Sequence, residues 1–172
     1  MNVPRYGLVL VLLFSSILAG CMATPEEQIT QGVANAREAF EGEPEEANET
    51  VGKLDLYLPK GYAIEEPADN YNSMITKGND SFILFINPNE KSASTFFYDL
   101  QKADPEQIWI ADETFRQNGR FGFVTVKEIA EDQLELVVSA GGAKMTTMTG
   151  KNDVPQKMGW MMKTVRSIDA DE

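Results

Sequence analysis

The sequence contains no histidine and a single cysteine, Cys21. Without histidine, a serine or cysteine nucleophile lacks its usual general base, and metal sites built on imidazole are excluded. A lone cysteine forms no intramolecular disulfide, so the fold must be held together by its hydrophobic core. No glycine-rich phosphate-binding pattern is present either. The sequence therefore predicts no catalytic residue, no cofactor and no metal centre.

Basic residues are scarce as well: 15 lysines and arginines stand against 27 aspartates and glutamates, a net charge of −12. Such a surface repels nucleic-acid phosphates and anionic lipid headgroups, which argues against nucleic acid as a partner. Carboxylates alone would need to form a close pair for catalysis. The pairs Asp112-Glu113 and Glu131-Asp132 are adjacent in sequence, so on a strand they point to opposite faces. A solvated acidic surface is the simpler interpretation.

Long apolar runs are absent except near the amino terminus. There Arg5 precedes the apolar run Leu8 to Phe14 and a stretch of small residues, which is the three-part plan of a secretory signal. The apolar run is too short to span a bilayer, since a spanning helix requires about 20 apolar residues. We therefore predict that residues 1–20 are a signal peptide that is removed during export.

The residues that end this segment, Leu18-Ala19-Gly20-Cys21, resemble the lipobox of bacterial lipoproteins. The resemblance implies that the chain is cleaved between Gly20 and Cys21 and that the sulfur of Cys21 carries a diacylglyceryl group. Two acyl chains anchor a protein stably, whereas one does not. The protein would then be held on the cell membrane through Cys21 and face the outside of the cytoplasm. The alternative is an ordinary signal peptide with a cysteine near its end.

The residues behind Cys21 predict a helix followed by a linker. Thr24-Pro25-Glu26-Glu27 is typical of a helix start, and apolar residues recur with helical period at Ile29, Val33, Ala36 and Phe40. The acidic segment from Glu41 to Thr50 lacks large apolar side chains, which predicts a solvated linker. We expect the helix to dock weakly or to fray, with self-association as the alternative. Residues 21–50 thus comprise the anchor, this helix and the linker.

From Val51 onward the apolar residues alternate, as in half-buried strands. Strand-like runs follow one another in the order KLDLYLP, YNSMITK, SFILFIN, ASTFFYD, a run through Phe115, FGFVTVKEI, QLELVVS and AKMTTMT. Asp104-Pro105-Glu106-Gln107 predicts a short helical turn, Asn118-Gly119 a tight hairpin and Gly141-Gly142 another tight turn. Successive strands without long helices between them indicate an antiparallel sheet.

Helical period returns at the end of the chain. Asp153 is the expected cap, Pro155 lies in the first turn, and one stripe contains Val154, Met158, Met161, Met162, Val165 and Ile168. This stripe should lie on the sheet. We therefore predict that residues 51–172 form an α+β domain, a curved antiparallel sheet of seven or eight strands covered by a C-terminal helix.

Two short motifs bracket this domain, LPKGY after the first strand and TVRSI at the end of the last helix. Together with the strands between them, they resemble small lipoproteins of Bacillus-like bacteria and, more distantly, PsbP-like domains. The resemblance covers residues 51–168 and implies an α+β fold. It transfers no functional residue onto this sequence.

One tryptophan is a candidate contact for a protein partner. Trp160 lies opposite the apolar stripe of the last helix, on the face that carries Lys163, Thr164 and Ser167. An exposed tryptophan at such a position would be a binding hot spot. Packing at the edge of the helix is the competing interpretation.

Metal binding has two candidate sources. The oxygen-rich turns Asp69-Asn70-Tyr71-Asn72 and Asn87-Pro88-Asn89-Glu90 could collect calcium, although neither has the spacing of a calcium loop. Thioethers are soft ligands that suit Cu(I), and five methionines lie close together in the sequence: Met145, Met148, Met158, Met161 and Met162. Methionine also fills cores well, and the helical stripe favours that role.

The sequence thus predicts a membrane-anchored extracytoplasmic lipoprotein without enzymatic activity, whose domain is an interaction or accessory module for a protein partner that the sequence does not identify. The alternative is a lipoprotein that binds a small ligand or a metal, calcium or Cu(I). An enzyme that relies on carboxylates alone is the third possibility.

Overall fold

The computed structural model of the 172-residue chain describes residues 23–65 and 71–168. Helix α1 (Pro25–Glu41) comes first, followed by strands β1 (Glu49–Val51), β2 (Leu54–Leu56), β3 (Ala63–Ile64), β4 (Asn72–Lys77) and β5 (Asp80–Ile86). Next come helix α2 (Phe96–Lys102) and strands β6 (Ala111–Gln117), β7 (Arg120–Ala130), β8 (Gln133–Ala140) and β9 (Ala143–Thr149). A single 3₁₀ turn (Lys151–Asp153) leads into helix α3 (Val154–Ser167).

Seven of the strands form one open antiparallel sheet in the order β3-β4-β5-β9-β8-β7-β6. Helix α3 packs on β8 and β9 and covers one face of the sheet. The prediction of an α+β domain with an antiparallel sheet under a C-terminal helix is therefore confirmed. Strands β1 and β2 form a separate two-stranded hairpin, so the KLDLYLP run lies outside the main sheet.

The predicted tight turns are present. Asn118 and Gly119 have φ values of 49° and 76° between the paired residues Gln117 and Arg120, as a two-residue hairpin loop requires. Between β8 and β9, Gly141 has a φ of 54°. A Cβ on Gly142 would lie 2.6 Å from the carbonyl oxygen of Glu90. Glycine at this position therefore allows the loop after β5 to pack closely against the turn.

One local prediction is wrong. The ASTFFYD run, predicted as a strand, is helix α2, because Phe97 turns onto the sheet and packs against the ring of Phe85 at 5.5 Å between centroids. Tertiary packing here overrides the β propensity of the aromatic pair. The segment 104–107, predicted as a helical turn, makes a single turn in which the N–H of Gln107 donates to the carbonyl oxygen of Asp104 at 3.4 Å. The carboxylate of Asp104 supports this turn by accepting a hydrogen bond from the backbone N–H of Glu106 at 3.0 Å.

Helix α1 begins as its sequence predicts and then departs from expectation. The hydroxyl of Thr24 accepts the N–H of Glu27, and the carboxylate of Glu27 accepts the N–H of Thr24, which completes a capping box. However, α1 packs along α3, and Phe40 is fully buried 5.6 Å from the ring of Phe115. The expectation of weak docking is wrong. The main core therefore includes residues on both sides of residue 51, where the sequence analysis placed the domain boundary.

The reason for this close docking is a glycine in α1. A Cβ on Gly32 would lie 2.8 Å from both Met158 Sδ and Val154 Cγ1, so only glycine allows the two helices this separation. The two helices are also joined by a hydrogen bond, in which the side-chain amide of Asn35 donates to the carbonyl oxygen of Pro155 at 3.0 Å.

Helix α3 buries the whole predicted stripe, from Val154 to Ile168. Asp153 occupies the N-cap position, but its side chain makes no capping hydrogen bond among the described residues. It lies instead 3.9 Å from the ammonium of Lys157, which also contacts Asp80 at 2.8 Å.

A second, smaller core lies on the opposite face of the sheet. Helix α2 covers it with Phe97, and Phe121, Phe123 and Val137 complete it from the strands. Among the residues that the structure describes, no helix has the length and apolar character needed to cross a membrane.

Candidate functional site

A groove lies beside α3, with a volume of about 520 Å³. Its walls are the C-terminal half of α1, the acidic segment that follows it, the residues after β2 and the outer face of α3. Three prolines line it, Pro44, Pro59 and Pro155, together with the rings of Tyr57 and Trp160. We call this feature the α1–α3 groove.

Trp160 lies at the junction of this groove and the core. Its ring packs against Tyr62 at 4.3 Å and against Phe82 at 4.6 Å, and the residue is partly buried. The packing interpretation of Trp160 is therefore the one that the contacts favour. Contact with a partner stays a prediction, because part of the residue lines the groove.

The indole N–H of Trp160 is buried and has no hydrogen-bond acceptor among the described residues. Burial also raises the pKa of the neighbouring Tyr62 hydroxyl, with a further contribution from the negative charge of Asp80. The aromatic cluster is thus a desolvated region directly behind the groove.

The segment after β2 covers the edge of α3 through a backbone contact. The N–H of Tyr57 donates to Ser167 Oγ at 2.7 Å, and Ser167 Oγ donates to the carbonyl oxygen of Thr164 at 2.7 Å. The same segment carries Tyr62, whose ring, together with that of Phe82, partly buries Trp160.

The acidic segment forms the outer wall of the groove and is attached at two points. The ammonium of Lys163 donates to Glu45 at 2.6 Å, a hydrogen bond that raises the pKa of Lys163. The side chain of Asn48 pairs with the backbone of Leu58, accepting its N–H at 2.8 Å and donating to its carbonyl oxygen at 3.0 Å. The predicted linker is exposed but runs along the domain.

The charges of the groove are mostly negative on its rim. Glu38, Glu43 and Glu45 contribute carboxylates, and Glu45 already contacts Lys163. Arg166 is buried, and its Nε donates to the carbonyl oxygen of Phe40 at 3.3 Å, so this cation holds α1 against α3. The rim is therefore suited to a cationic segment of a partner.

The other predicted site residues lie elsewhere. Gly20 and Cys21 fall outside the described residues, as do Asp69 and Asn70 of the first calcium candidate. In the second candidate, the amide oxygen of Asn87 accepts the N–H of Asn89 at 3.1 Å, and Glu90 accepts the hydroxyl of Ser94. These oxygens serve to order their own loop.

The methionine cluster divides in two. Met145, Met158, Met161 and Met162 are fully buried in the main core, whereas Met148 is 59% exposed. The core-packing interpretation is confirmed for those four methionines. Over residues 23–65 and 71–168, no group of three or more histidine, cysteine, aspartate or glutamate side chains is placed to hold a metal ion.

Sequence reasoning missed the α1–α3 groove because it treated α1 and the acidic segment as separate from the domain. The available signal was a pair of glycines at helical positions, Gly32 on α1 and Gly159 on α3, both of which face the other helix closely. Small residues at such positions allow two helices to approach.

Comparison with known proteins adds no relative to this description. No protein-family model matches the chain, and no curated protein sequence matches it. The likeness to PsbP-like domains stays a prediction, and the function of the groove must be argued from its own residues.

Proposed function

We propose that this protein is an extracytoplasmic lipoprotein, held on the membrane through Cys21 after removal of residues 1–20, and that its domain is a non-enzymatic module that binds a protein partner in the α1–α3 groove. The lipobox-like sequence before Cys21 supports the anchor. The groove supports the interaction, and it is the observation that carries this part of the proposal.

The lining of the groove favours an extended peptide segment. Its three prolines donate no backbone hydrogen bonds and present rigid apolar surface next to Tyr57 and Trp160. Aromatic residues of this kind are enriched where proteins bind one another. These proline and aromatic side chains therefore offer a partner apolar contact area, and they lose little conformational entropy when it binds.

Charge selects the kind of partner. The carboxylates of Glu38 and Glu43 lie on the rim, and the whole chain has a net charge of −12. A field of one sign steers oppositely charged partners toward a cleft and repels partners of like charge. The preferred partner therefore presents lysine or arginine beside apolar residues.

A photo-crosslinking amino acid at Tyr57 tests this proposal. In membranes that contain the full protein, Tyr57 should give a defined adduct with one partner, because the residue lines the groove. The same probe at Met74, which is 42% exposed on β4 outside the groove, is the matched control. No adduct from Tyr57, or the same adduct from both positions, would refute the assignment.

A small ligand is the second candidate for the same groove. Its volume of about 520 Å³ lies within the range of about 300 to 1,000 Å³ that is common for small-molecule sites. The open shape and the charged rim favour a peptide instead. Crosslinking distinguishes the two, because a small ligand leaves Tyr57 without a protein adduct.

A further inference from the structure

The segment before β6 presents an unusual amount of apolar surface to solvent. Ile108 is 86% exposed, more than any other large apolar side chain among the described residues, and Ile110 is 47% exposed. Trp109 lies between them. Trp109 is partly buried, so the exposed apolar surface comes from the two isoleucines on either side of it. Exposed apolar side chains that lie close together mark a candidate interaction site. We call residues 108–110 the IWI loop.

This loop is held in place. The N–H of Ile110 donates to the carbonyl oxygen of Val126 at 2.8 Å, which attaches the loop to β7. The ring of Trp109 lies 5.9 Å from the ammonium groups of both Lys102 and Lys127. The apolar side chains are therefore presented by fixed backbone.

The position of the loop relative to the start of α1 identifies the occupant. Ile110 and Ala111 line a second groove, of about 370 Å³, together with Glu26, Ile29 and other residues of the first turns of α1. Cys21 precedes Pro25 by four residues, and four trans peptides span at most about 15 Å. A lipid on Cys21 thus places this end of the domain beside the bilayer.

The α1–α3 groove lies at the other end of the same helix. Its walls include α1 from Asn35 to Gly42, and the 17 residues of α1 span about 25 Å. A membrane contact at the IWI loop therefore leaves the groove directed away from the membrane.

We infer that the IWI loop is a second membrane contact, which inserts into the bilayer interface beside the acylated Cys21 and fixes the orientation of the domain. This inference rests on the proposed lipid anchor. Isoleucine side chains enter the acyl region, and tryptophan prefers the headgroup level. Carboxylates also border the loop, at Asp104, Glu106 and Glu26, so insertion is driven by apolar burial and needs no anionic lipid.

Tryptophan fluorescence tests the contact. The full protein, as isolated from membranes, is reconstituted in phosphatidylcholine vesicles whose acyl chains carry bromine, a quencher of indole emission. The chain has two tryptophans, Trp109 and Trp160, so Trp160→Phe reports Trp109 alone and Trp109→Phe is the matched control. We expect Trp109 to lose most of its emission and Trp160 to keep its emission. Equal emission loss in the two variants, or none in either, would overturn the inference.

A second pair of variants avoids changes to the tryptophans. Ile108→Ser with Ile110→Ser should reduce the quenching seen in the parent protein, whereas Met74→Ser should leave it unchanged. Met74 is also exposed, but β4 lies four strands from β7 in the sheet order, about 19 Å away. Quenching that persists in the double variant would contradict insertion of the loop.

Mass spectrometry of the same preparation separates this inference from the proposed anchor. An unmodified Cys21 would refute the lipoprotein proposal and the inference with it. A diacylated Cys21 without quenching of Trp109 would refute the membrane contact alone, because the anchor would then hold the domain without the loop.

Discussion

At the scale of single residues, Trp160 combines favourable ring packing with a buried hydrogen-bond donor that has no acceptor among the described residues. Its ring contacts Tyr62 and Phe82, while its buried indole N–H lacks an acceptor among the described residues. An unpaired buried donor costs about 1 to 3 kcal/mol. The ring and the N–H therefore act in opposite directions on the stability of the domain.

Two substitutions separate these effects. Trp160→Ala should lower the free energy of unfolding by about 2 to 3 kcal/mol, somewhat less than for a fully buried tryptophan. Trp160→Phe keeps an aromatic ring and removes the donor, so it should change stability by less than about 1 kcal/mol. Urea denaturation of the two variants beside the parent measures both. A change of less than about 0.5 kcal/mol for Trp160→Ala would show that the ring is a surface group.

At the scale of elements, hydrophobic period predicted the two long helices and their buried stripes. It failed where aromatic residues with high β propensity lie in a short segment, since FFYD belongs to α2. It also did not reveal that the stripe of α1 packs on α3, because a stripe shows which face is buried but not against which element. The α1–α3 groove was missed for that reason. Gly32 was the local sign of the contact.

The contact between α1 and α3 is tested by Gly32→Ala. The added Cβ would lie 2.8 Å from Met158 Sδ and Val154 Cγ1, and such overpacking costs about 1 to 3 kcal/mol. Alanine gains up to about 1 kcal/mol in helix propensity, so a net loss of about 1 kcal/mol is expected in thermal or urea unfolding. Thr30→Ala, at an exposed position of the same helix, is the control. A stabilised Gly32→Ala variant would contradict the close approach.

At the scale of the whole molecule, helix α1 and the sheet form one packed unit, and the acidic segment runs exposed along its surface. Residues 42–48 are almost entirely exposed, yet Glu45 and Asn48 attach the segment at its middle and end. Phe40 lies in the main core just before the segment. Cleavage of the acidic segment should therefore not release α1 from the domain.

Brief digestion with a glutamate-specific protease tests this arrangement. We expect a first cut after Glu45 or Glu46, because this segment lacks apolar side chains that would offset the entropy of ordering, and Glu43 is protected by the proline that follows it. The two pieces should separate on a denaturing gel but stay together in native size-exclusion chromatography. Release of a folded piece that starts near Val51 would instead restore the expectation of a weakly docked α1.

The proposed anchor and the domain should be energetically independent, because the described core begins with Ile29 of α1, eight residues after Cys21 in the sequence. Cys21→Ala should leave the protein unprocessed or free of the membrane, since the acylated thiol is lost. Its free energy of unfolding, measured on the detergent-purified chain, should match that of the parent within about 0.5 kcal/mol. Membrane fractionation beside denaturant melts measures both quantities. A processed Cys21→Ala variant that stays in the membrane fraction as completely as the parent, also when it carries Ile108→Ser and Ile110→Ser, would refute lipid anchoring. A large loss of stability would show that the anchor contributes to folding.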